Sequence, residues 1–306
     1  MTRVLRLSLT DFRSYAELAW EPGARLVALA GPNGSGKTNL LEAISLLAPG
    51  RGLRGARLAA LPRAGSSGTW AIAGRITRAG ESFDLGTGIL PPLPSERRSF
   101  RIDGQAPENQ AEVAAKFSAV WLTPQMDRLF TEGLSGRRRF LDRLTVALEP
   151  AHAREIASFE AASVNRNRQM ETAWADAGYL AIIEDSMARH AVAASAARLD
   201  LIDRLNALLA EGATAPFPPV RLGIACPIAK RLRDQPALAV EDWLRAELAR
   251  ARHDGEGAAP SPQKADLHIE DAVTGLDAAQ ASTGQQKAML IAIILGHAAL
   301  IADWRG

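Results

Sequence analysis

The sequence predicts an α/β fold in which a phosphate-loop NTPase core carries an antiparallel meander and an inserted helical arm. Three observations predict it. Residues Gly31-Pro32-Asn33-Gly34-Ser35-Gly36-Lys37-Thr38 match the pattern G-x-x-x-x-G-K-[ST]. Segments with period-two alternation cluster between residues 70 and 102. From Arg137 onward the pattern changes to long stretches of helical periodicity.

The elements follow in order. Val4-Leu5-Arg6-Leu7-Ser8-Leu9-Thr10 alternates apolar and polar residues, which marks a strand with one buried face, expected to pair near the phosphate-loop strand. Leu26-Val27-Ala28-Leu29-Ala30 is a short apolar run suited to a buried strand, and Asn39-Leu40-Leu41-Glu42-Ala43-Ile44 has helical spacing. The loop between them therefore sits in the strand-loop-helix context that its chemistry needs. Glycines 31, 34 and 36 let the backbone turn tightly, so that successive N–H groups form an anion cradle at the positive end of the helix. Lys37 would reach the β- and γ-phosphates of a nucleoside triphosphate, and the Thr38 hydroxyl would ligate Mg2+. The candidate nucleotide-binding residues here are Gly31, Pro32, Asn33, Gly34, Ser35, Gly36, Lys37, Thr38 and Asn39, with Thr38 as a metal ligand. The competing reading is a glycine-rich turn with a solvated lysine.

Trp70 to Ile76 and Ser82 to Ile89 read as strands joined by a turn at Arg78-Ala79-Gly80, and Ser99-Phe100-Arg101-Ile102 as a third strand ending at Asp103-Gly104. Together they form an antiparallel meander beside the nucleotide site, with Pro91-Pro92-Leu93-Pro94 an exposed loop. Helices are expected over 137–148, 151–170 and 186–210, the last with Val192, Ala196, Leu199, Ile202, Leu205 and Leu209 on one stripe. Strands at 220–225 and 266–270, a helix over 241–252 and a flexible stretch from Asp254 to Pro260 complete the chain. The expected division is an N-terminal ATPase part over 1–135, a helical arm over 136–215 and a C-terminal ATPase part over 216–306.

Composition bounds the function. At 306 residues the chain is 47% hydrophobic and 23% charged, which excludes wholesale disorder. No apolar run is read as membrane-spanning and the N-terminus is not read as a signal peptide, so a cytoplasmic protein with no membrane partner is expected. The single cysteine, Cys226, is expected to be a buried strand residue in a reducing compartment, and His and Cys show no zinc-ligand spacing. Net charge is +2, but arginines cluster at Arg51, Arg54 and Arg57, at Arg97, Arg98 and Arg101, and at Arg137-Arg138-Arg139. Each cluster is either a phosphate-contacting patch or a set of surface ion pairs, Asp142 lying at helical spacing from the third.

Near the C-terminus, Ser282-Thr283-Gly284-Gln285-Gln286 precedes a helical run. Ser282 with Gln285, or Thr283 with Gln286, has capping-box spacing, while a serine hydroxyl, a glycine N–H and a helix N-terminus also make an anion site. This stretch resembles the signature motif of ABC-type ATPases, and its separation from Thr38 matches the RecF family. Leu9 to Tyr15, Gly31 to Ile44, Gly50 to Arg54, Arg137 to Arg143 and Ser282 to Ala288 carry the resemblance, which covers nearly the whole chain.

The resemblance implies an ABC-type fold that binds ATP and Mg2+ and forms an ATP-dependent homodimer. Lys37 and Thr38 of one subunit would face Ser282, Gly284 and Gln285 of the other. It also implies binding of single-stranded and gapped double-stranded DNA, RecR and RecO as partners, and a part in recombination, replication, repair of DNA damage and the SOS response. Gln125 in Pro124-Gln125-Met126-Asp127 takes the place of the metal- or water-facing glutamine. Two departures stand out. Ser261-Pro262-Gln263-Lys264 replaces the family's Gly-Pro-His-Arg type stretch, leaving Lys264 to keep the charge. The family also continues past Leu300 to Gly306 into a Walker B strand with its catalytic acid, so the chain as given is expected to bind ATP without efficient hydrolysis. The alternatives are a nucleotide-gated, non-catalytic scaffold and a transporter ATPase subunit, the latter disfavoured by the helical insert.

Overall fold

The structure, a computed structural model, describes residues 2–90, 98–130, 133–171, 176–252 and 259–305. The expected loop at Pro91 to Pro94, Arg97 and the stretch Asp254 to Ala258 lie outside the described residues. The chain divides into two compact units, residues 1–121 with 302–306 and residues 122–301.

The first unit is built on strands β1 (Arg3–Phe12), β2 (Tyr15–Trp20), β3 (Trp70–Arg78), β4 (Glu81–Ile89) and β5 (Ser99–Ile102), with helices α1 (Lys37–Leu47) and α2 (Gln110–Lys116). The sheet order is β2-β1-β3-β4-β5 and every neighbouring pair is antiparallel. The meander read from alternation is therefore present. Its two tight turns carry positive φ at Ala79 and Gly80 and at Asp103 and Gly104, the backbone twist that closes two-residue hairpins. Alternate residues Leu7 and Leu9, Trp70, Ile72 and Ile76, and Phe83 and Leu85 turn inward and bury Leu40, Ala43, Leu46 and Leu47 of α1. At Gly74 an added Cβ would stand 2.8 Å from Leu47 Cδ1, so this glycine lets α1 lie close to β3.

Two expectations fail here. β1 pairs with β2 and β3, not with the segment before the phosphate loop, and β2 was not read from the sequence at all. Leu26–Ala30 is not a strand: Leu26 is 90% exposed and Val27 41%. Among the described residues no strand runs beside it, so its backbone groups find no ladder, and of its larger apolar side chains Leu29 alone packs against the core.

The second unit contains α3 (Leu134–Leu148), α4 (His152–Met170), α5 (Ala177–Ala210), β6 (Val220–Ala225), α6 (Pro227–Leu232), α7 (Ala237–Arg250), β7 (Asp266–Asp271) and α8 (Thr283–Arg305) up to Ile301. α4 packs along α5, and β6 pairs antiparallel with β7. Asn206 of α5 fixes β6 with its amide: Nδ2 donates to Leu222 O and Oδ1 accepts from Leu222 N, both at 2.8 Å. The α5 stripe is corrected at one position. Val192, Leu199, Ile202, Leu205 and Leu209 are buried, but Ala196 is exposed and Ser195 and Arg198 take the inner face. Cys226 is buried, although it sits at the β6–α6 junction instead of inside the strand.

Charge is also buried in this unit. Glu184, 2% exposed, accepts from Arg166 Nε at 2.9 Å and from Arg252 Nε at 3.0 Å, tying α4, α5 and the end of α7. Asp142 of α3 accepts from Arg198 Nε at 2.8 Å and lies 2.8 Å from His152 Nε2. The reading that no run reaches membrane-spanning length is corrected by α8, whose residues Thr283–Asp303 have a mean hydropathy of 1.4. More than half of that stretch is buried, and His297 within it bonds Leu144 O at 2.9 Å, as in a helix packed in a protein core.

Candidate nucleotide-binding site

The loop Gly31–Gly36 leads into α1 with Gly31, Gly34 and Gly36 at φ of 150°, 85° and 93°. All three lie in the positive-φ range that side chains disfavour. Gly36 is also packed: an added Cβ would stand 2.5 Å from Tyr15 Oη and 3.2 Å from Ser14 Oγ. The N-terminus of α1 has no side-chain cap and no acidic residue in its first turn. Its positive end therefore faces outward without a competing anion. Lys37 Nζ donates to Gly31 O at 2.8 Å and Pro32 O at 2.7 Å, with Ser35 Oγ at 3.4 Å, which folds the ammonium over the loop. Thr38 is exposed one residue further on. Uncapped N–H groups, a local ammonium and an adjacent hydroxyl fit a polyphosphate with its metal ion, so the residues present suit the expected Mg-nucleotide.

Behind the loop lies a network that the sequence did not announce. Glu42 of α1 is fully buried and receives Arg13 through a fork, Nε to Oε2 at 2.8 Å and Nη2 to Oε1 at 2.7 Å. Arg54 Nη1 adds bonds to Glu42 Oε2 at 2.9 Å and to Asn39 Oδ1 at 2.8 Å. The Asn39 amide donates to Ser14 Oγ at 2.9 Å, so this candidate ligand is already held by the β1–β2 turn. The turn Arg13-Ser14 and the segment after α1 thus clamp the first two turns of the helix. The only sequence sign was a glutamate at an α1 position that packs inward.

The second motif lies in the other unit. Gln285 Oε1 accepts from Ser282 N at 2.9 Å and Ser282 Oγ accepts from Gln285 N at 3.3 Å, a reciprocal capping box. Gln286 is buried and its amide donates to Ala278 O. Ser282, Gly284 and Gln285 are all exposed, and an added Cβ at Gly284 would meet nothing within 4 Å. Gln125 is exposed on the short 3-10 turn Pro124–Arg128 of the same unit. Among the described residues no group of three or more His, Cys, Asp and Glu side chains is placed to hold a metal.

The arginine clusters resolve into separate tasks. Arg98 donates to Leu46 O, to Ala48 O at 2.8 Å and to Gly50 O at 2.6 Å, which satisfies the end of α1. Burial there pushes its pKa down to about 10. Arg137 forks onto Asp266, whose hydrogen bond raises the guanidinium above its ordinary value, and Arg138 donates to Gln263 O. Asp142, expected beside the triple arginine, pairs instead with Arg198 and His152. Arg51, Arg57 and Arg101 remain exposed.

Comparison with known proteins places this geometry. A protein-family model described as "AAA domain, putative AbiEii toxin, Type IV TA system" matches residues 26–301. The DNA replication and repair protein RecF of Rhizobium johnstonii is 38% identical over 305 residues, covering 98% of this chain and 81% of the relative. That of Rhizobium rhizogenes is 39% identical over 307 residues, covering 99% and 82%. Among solved structures, the recombination mediator RecF-ATPrS in the RecFOR pathway superposes with a TM-score of 0.85 at 18% identity, over 99% of this chain and 82% of that one. RecF-ATP superposes at 0.78, also at 18% identity, over 99% and 83%. The fold is accordingly the ABC-type ATPase fold with its antiparallel sheet.

Proposed function

Because the chain belongs to the RecF family, within the broader AAA-domain group, we propose that it is an ATP-binding protein of DNA repair and replication. The observation that carries the reading is the uncapped α1 N-terminus with Lys37 and Thr38, in a chain 38% identical to RecF over nearly its whole length. Gly31 to Gly36 cradle the polyphosphate with backbone N–H groups, Lys37 offsets its charge, and Thr38, with Gln125, serves the metal ion. When bound, the Mg-nucleotide supplies a polyanion that a second copy of the chain can also grip.

In this proposal Ser282, Gly284 and Gln285 of that second copy contribute the grip, making ATP the bridge of a homodimer. The exposure of all three residues, and the absence of any packing demand for glycine at 284, support the assignment. The dimer acts in the cytoplasm on single-stranded and gapped double-stranded DNA, with RecO and RecR as partners, as a recombination mediator. The helical segment α3 to α5 serves as the arm inserted between the two parts of the ATPase.

The experiment is light scattering with and without Mg-ATP, paired with titration of a fluorescent ATP analogue. Saturable binding and a nucleotide-dependent doubling of mass are expected. A chain that binds the analogue yet stays monomeric at every concentration refutes the bridge, and one that binds no nucleotide refutes the whole reading. Phosphate release measured with gapped DNA separates a turning-over ATPase from a nucleotide-gated scaffold.

A further inference from the structure

Among the described residues of the first unit, nothing covers the face of the β2-β1-β3-β4-β5 sheet turned away from α1. Inward positions hold the core, while Arg6, Thr10, Ala73, Arg75, Asp84 and Arg101 on the outer face are exposed. Register places Arg6 of β1 directly opposite Arg75 of β3, and Gly86 of β4 opposite Arg101 of β5. These arginines surround a shallow concavity of about 360 Å3 whose floor includes Ser8, Ala73 and Gly86.

Three features of this face are not needed by the fold. Two like charges on opposed cross-strand positions are destabilising, yet Arg6 and Arg75 are so placed. Their nearest counter-charge is weak: Asp84 lies 3.8 Å from Arg75 with both side chains well exposed, so around the concavity three guanidinium groups face one carboxylate, while exposed Glu17 stands opposite Thr10 further along the same face. Gly86 has no positive φ and an added Cβ would come no closer than 3.8 Å to Ile72 O, whereas the neighbouring outward glycine, Gly88, would meet Trp70 O at 2.3 Å. Glycine weakens a strand unless something approaches the backbone closely, and at 86 nothing among the described residues comes within 3.8 Å of an added Cβ.

We propose that this sheet face binds the phosphate backbone of duplex DNA, with Arg6, Arg75 and Arg101 each meeting a phosphate across the small-residue floor. The proposal rests on the DNA-handling reading above and adds to it the surface that makes the contact. Strands β1 to β5 span about three inter-strand spacings, roughly 15 Å. One DNA strand presents a phosphate about every 3.4 Å of axis, so several fall within that span. A single strand held by base stacking is disfavoured, because the outward positions of the concavity carry no aromatic side chain. Guanidinium groups also suit phosphate bidentately.

The test is fluorescence anisotropy of a short labelled duplex over a salt series, using the full chain, with ATP-analogue binding as the control for folding. The triple variant Arg6→Ala, Arg75→Ala, Arg101→Ala is expected to lower the slope of log K against log salt by about 2.7, roughly 0.9 for each phosphate no longer neutralised. Lysine at the same three positions should keep most of that slope. Gly86→Val, which removes no charge, is expected to weaken duplex binding while the melting temperature holds or rises. If the wild type binds duplex and both the alanine triple and Gly86→Val bind it with unchanged affinity and slope, the surface is wrong and the DNA reading stands. A wild type that binds no duplex overturns this surface, and one that binds neither duplex, gapped nor single-stranded DNA overturns the DNA reading as well. Should the alanine triple fail to fold, Gly86→Val decides.

Discussion

Gly36 is the position at which the phosphate loop and the β1–β2 turn constrain each other, so Gly36→Ala separates two costs. The backbone cost comes from φ of 93° and ψ of −4°, a left-handed conformation worth roughly 1–2 kcal/mol for a residue with a Cβ. The packing cost comes from a Cβ placed 2.5 Å from Tyr15 Oη and 2.9 Å from its Cζ, an overlap of the kind that costs about 1–3 kcal/mol in a packed site. Together they predict a loss of about 2–5 kcal/mol. Tyr15→Phe removes the nearer atom and leaves the dihedral untouched. The double variant should therefore recover about 1 kcal/mol relative to the sum of the single changes. Urea denaturation of the wild type, both single variants and the double variant gives the cycle, followed by the fluorescence of the tryptophans in the first unit. A Gly36→Ala variant as stable as the wild type would refute the conformational argument, and strict additivity would refute the contact with Tyr15.

Lys37→Ala is expected to leave stability without ligand within about 1 kcal/mol, since its partners are exposed loop carbonyls. At a hundredfold excess of Mg-ATP over the dissociation constant the wild type gains about 2.7 kcal/mol, and the variant should gain none in thermal shift. Glu42→Gln leaves Arg13 and Arg54 without their carboxylate. Both can regain water, at 19% and 40% side-chain exposure, so a loss of about 2 kcal/mol is expected by urea denaturation, together with weaker analogue binding as Asn39 loosens. Asp142 has an acid-side signature. Burial pushes its carboxyl up, but the bond with His152 and the charge of Arg198 more than offset this and hold it below the ordinary range. A depressed folded value stabilises above the unfolded value of about 3.9 and is lost as pH falls through the folded one. Wild-type stability should thus fall below about pH 4. In Asp142→Asn that part of the slope should vanish, with about 3 kcal/mol already lost at neutral pH because Arg198 stays buried without its partner.

What could be read from the chain was whatever is encoded locally. The meander was legible because period-two alternation ends at Ala79-Gly80 and Asp103-Gly104, whose backbone sets the turn by itself. The glycine turn that enters α1 was legible for the same reason, and so was the capping box of α8. β2 was missed because its turn, Arg13-Ser14, holds no glycine and reaches positive φ at an arginine supported by Leu61 O and Ala60 O, nearly fifty residues away. The arginine clusters misled in part for a related reason: Arg98, Arg137 and Arg138 bond groups about 50 to 129 residues distant, which adjacency in sequence cannot show. Leu26–Ala30 failed as a strand because hydrophobicity specifies a preference for burial, while a strand also needs a neighbour.

These differences bear on which residues argue for a ligand at all. Gly36 is required by the fold, since Tyr15 and the backbone angle both demand it, so its presence alone says little about phosphate. Ser282 and Gln285 satisfy each other and would be expected at any well-capped helix. Gly34, Gly284 and Gly86 differ, because each faces room for a side chain within the protein. At Gly34 the positive φ still favours glycine, but Gly284 and Gly86 carry no such demand. A helix start or strand interior would gain from almost any other residue there, roughly 0.5–1 kcal/mol in the case of alanine. In the two proposals above, the space at Gly284 is taken by nucleotide held by a second copy and that at Gly86 by a DNA backbone. Replacing each by alanine should raise stability slightly while weakening, respectively, nucleotide-dependent dimerisation and duplex binding. A gain in stability with both activities intact would show that the open space has no occupant.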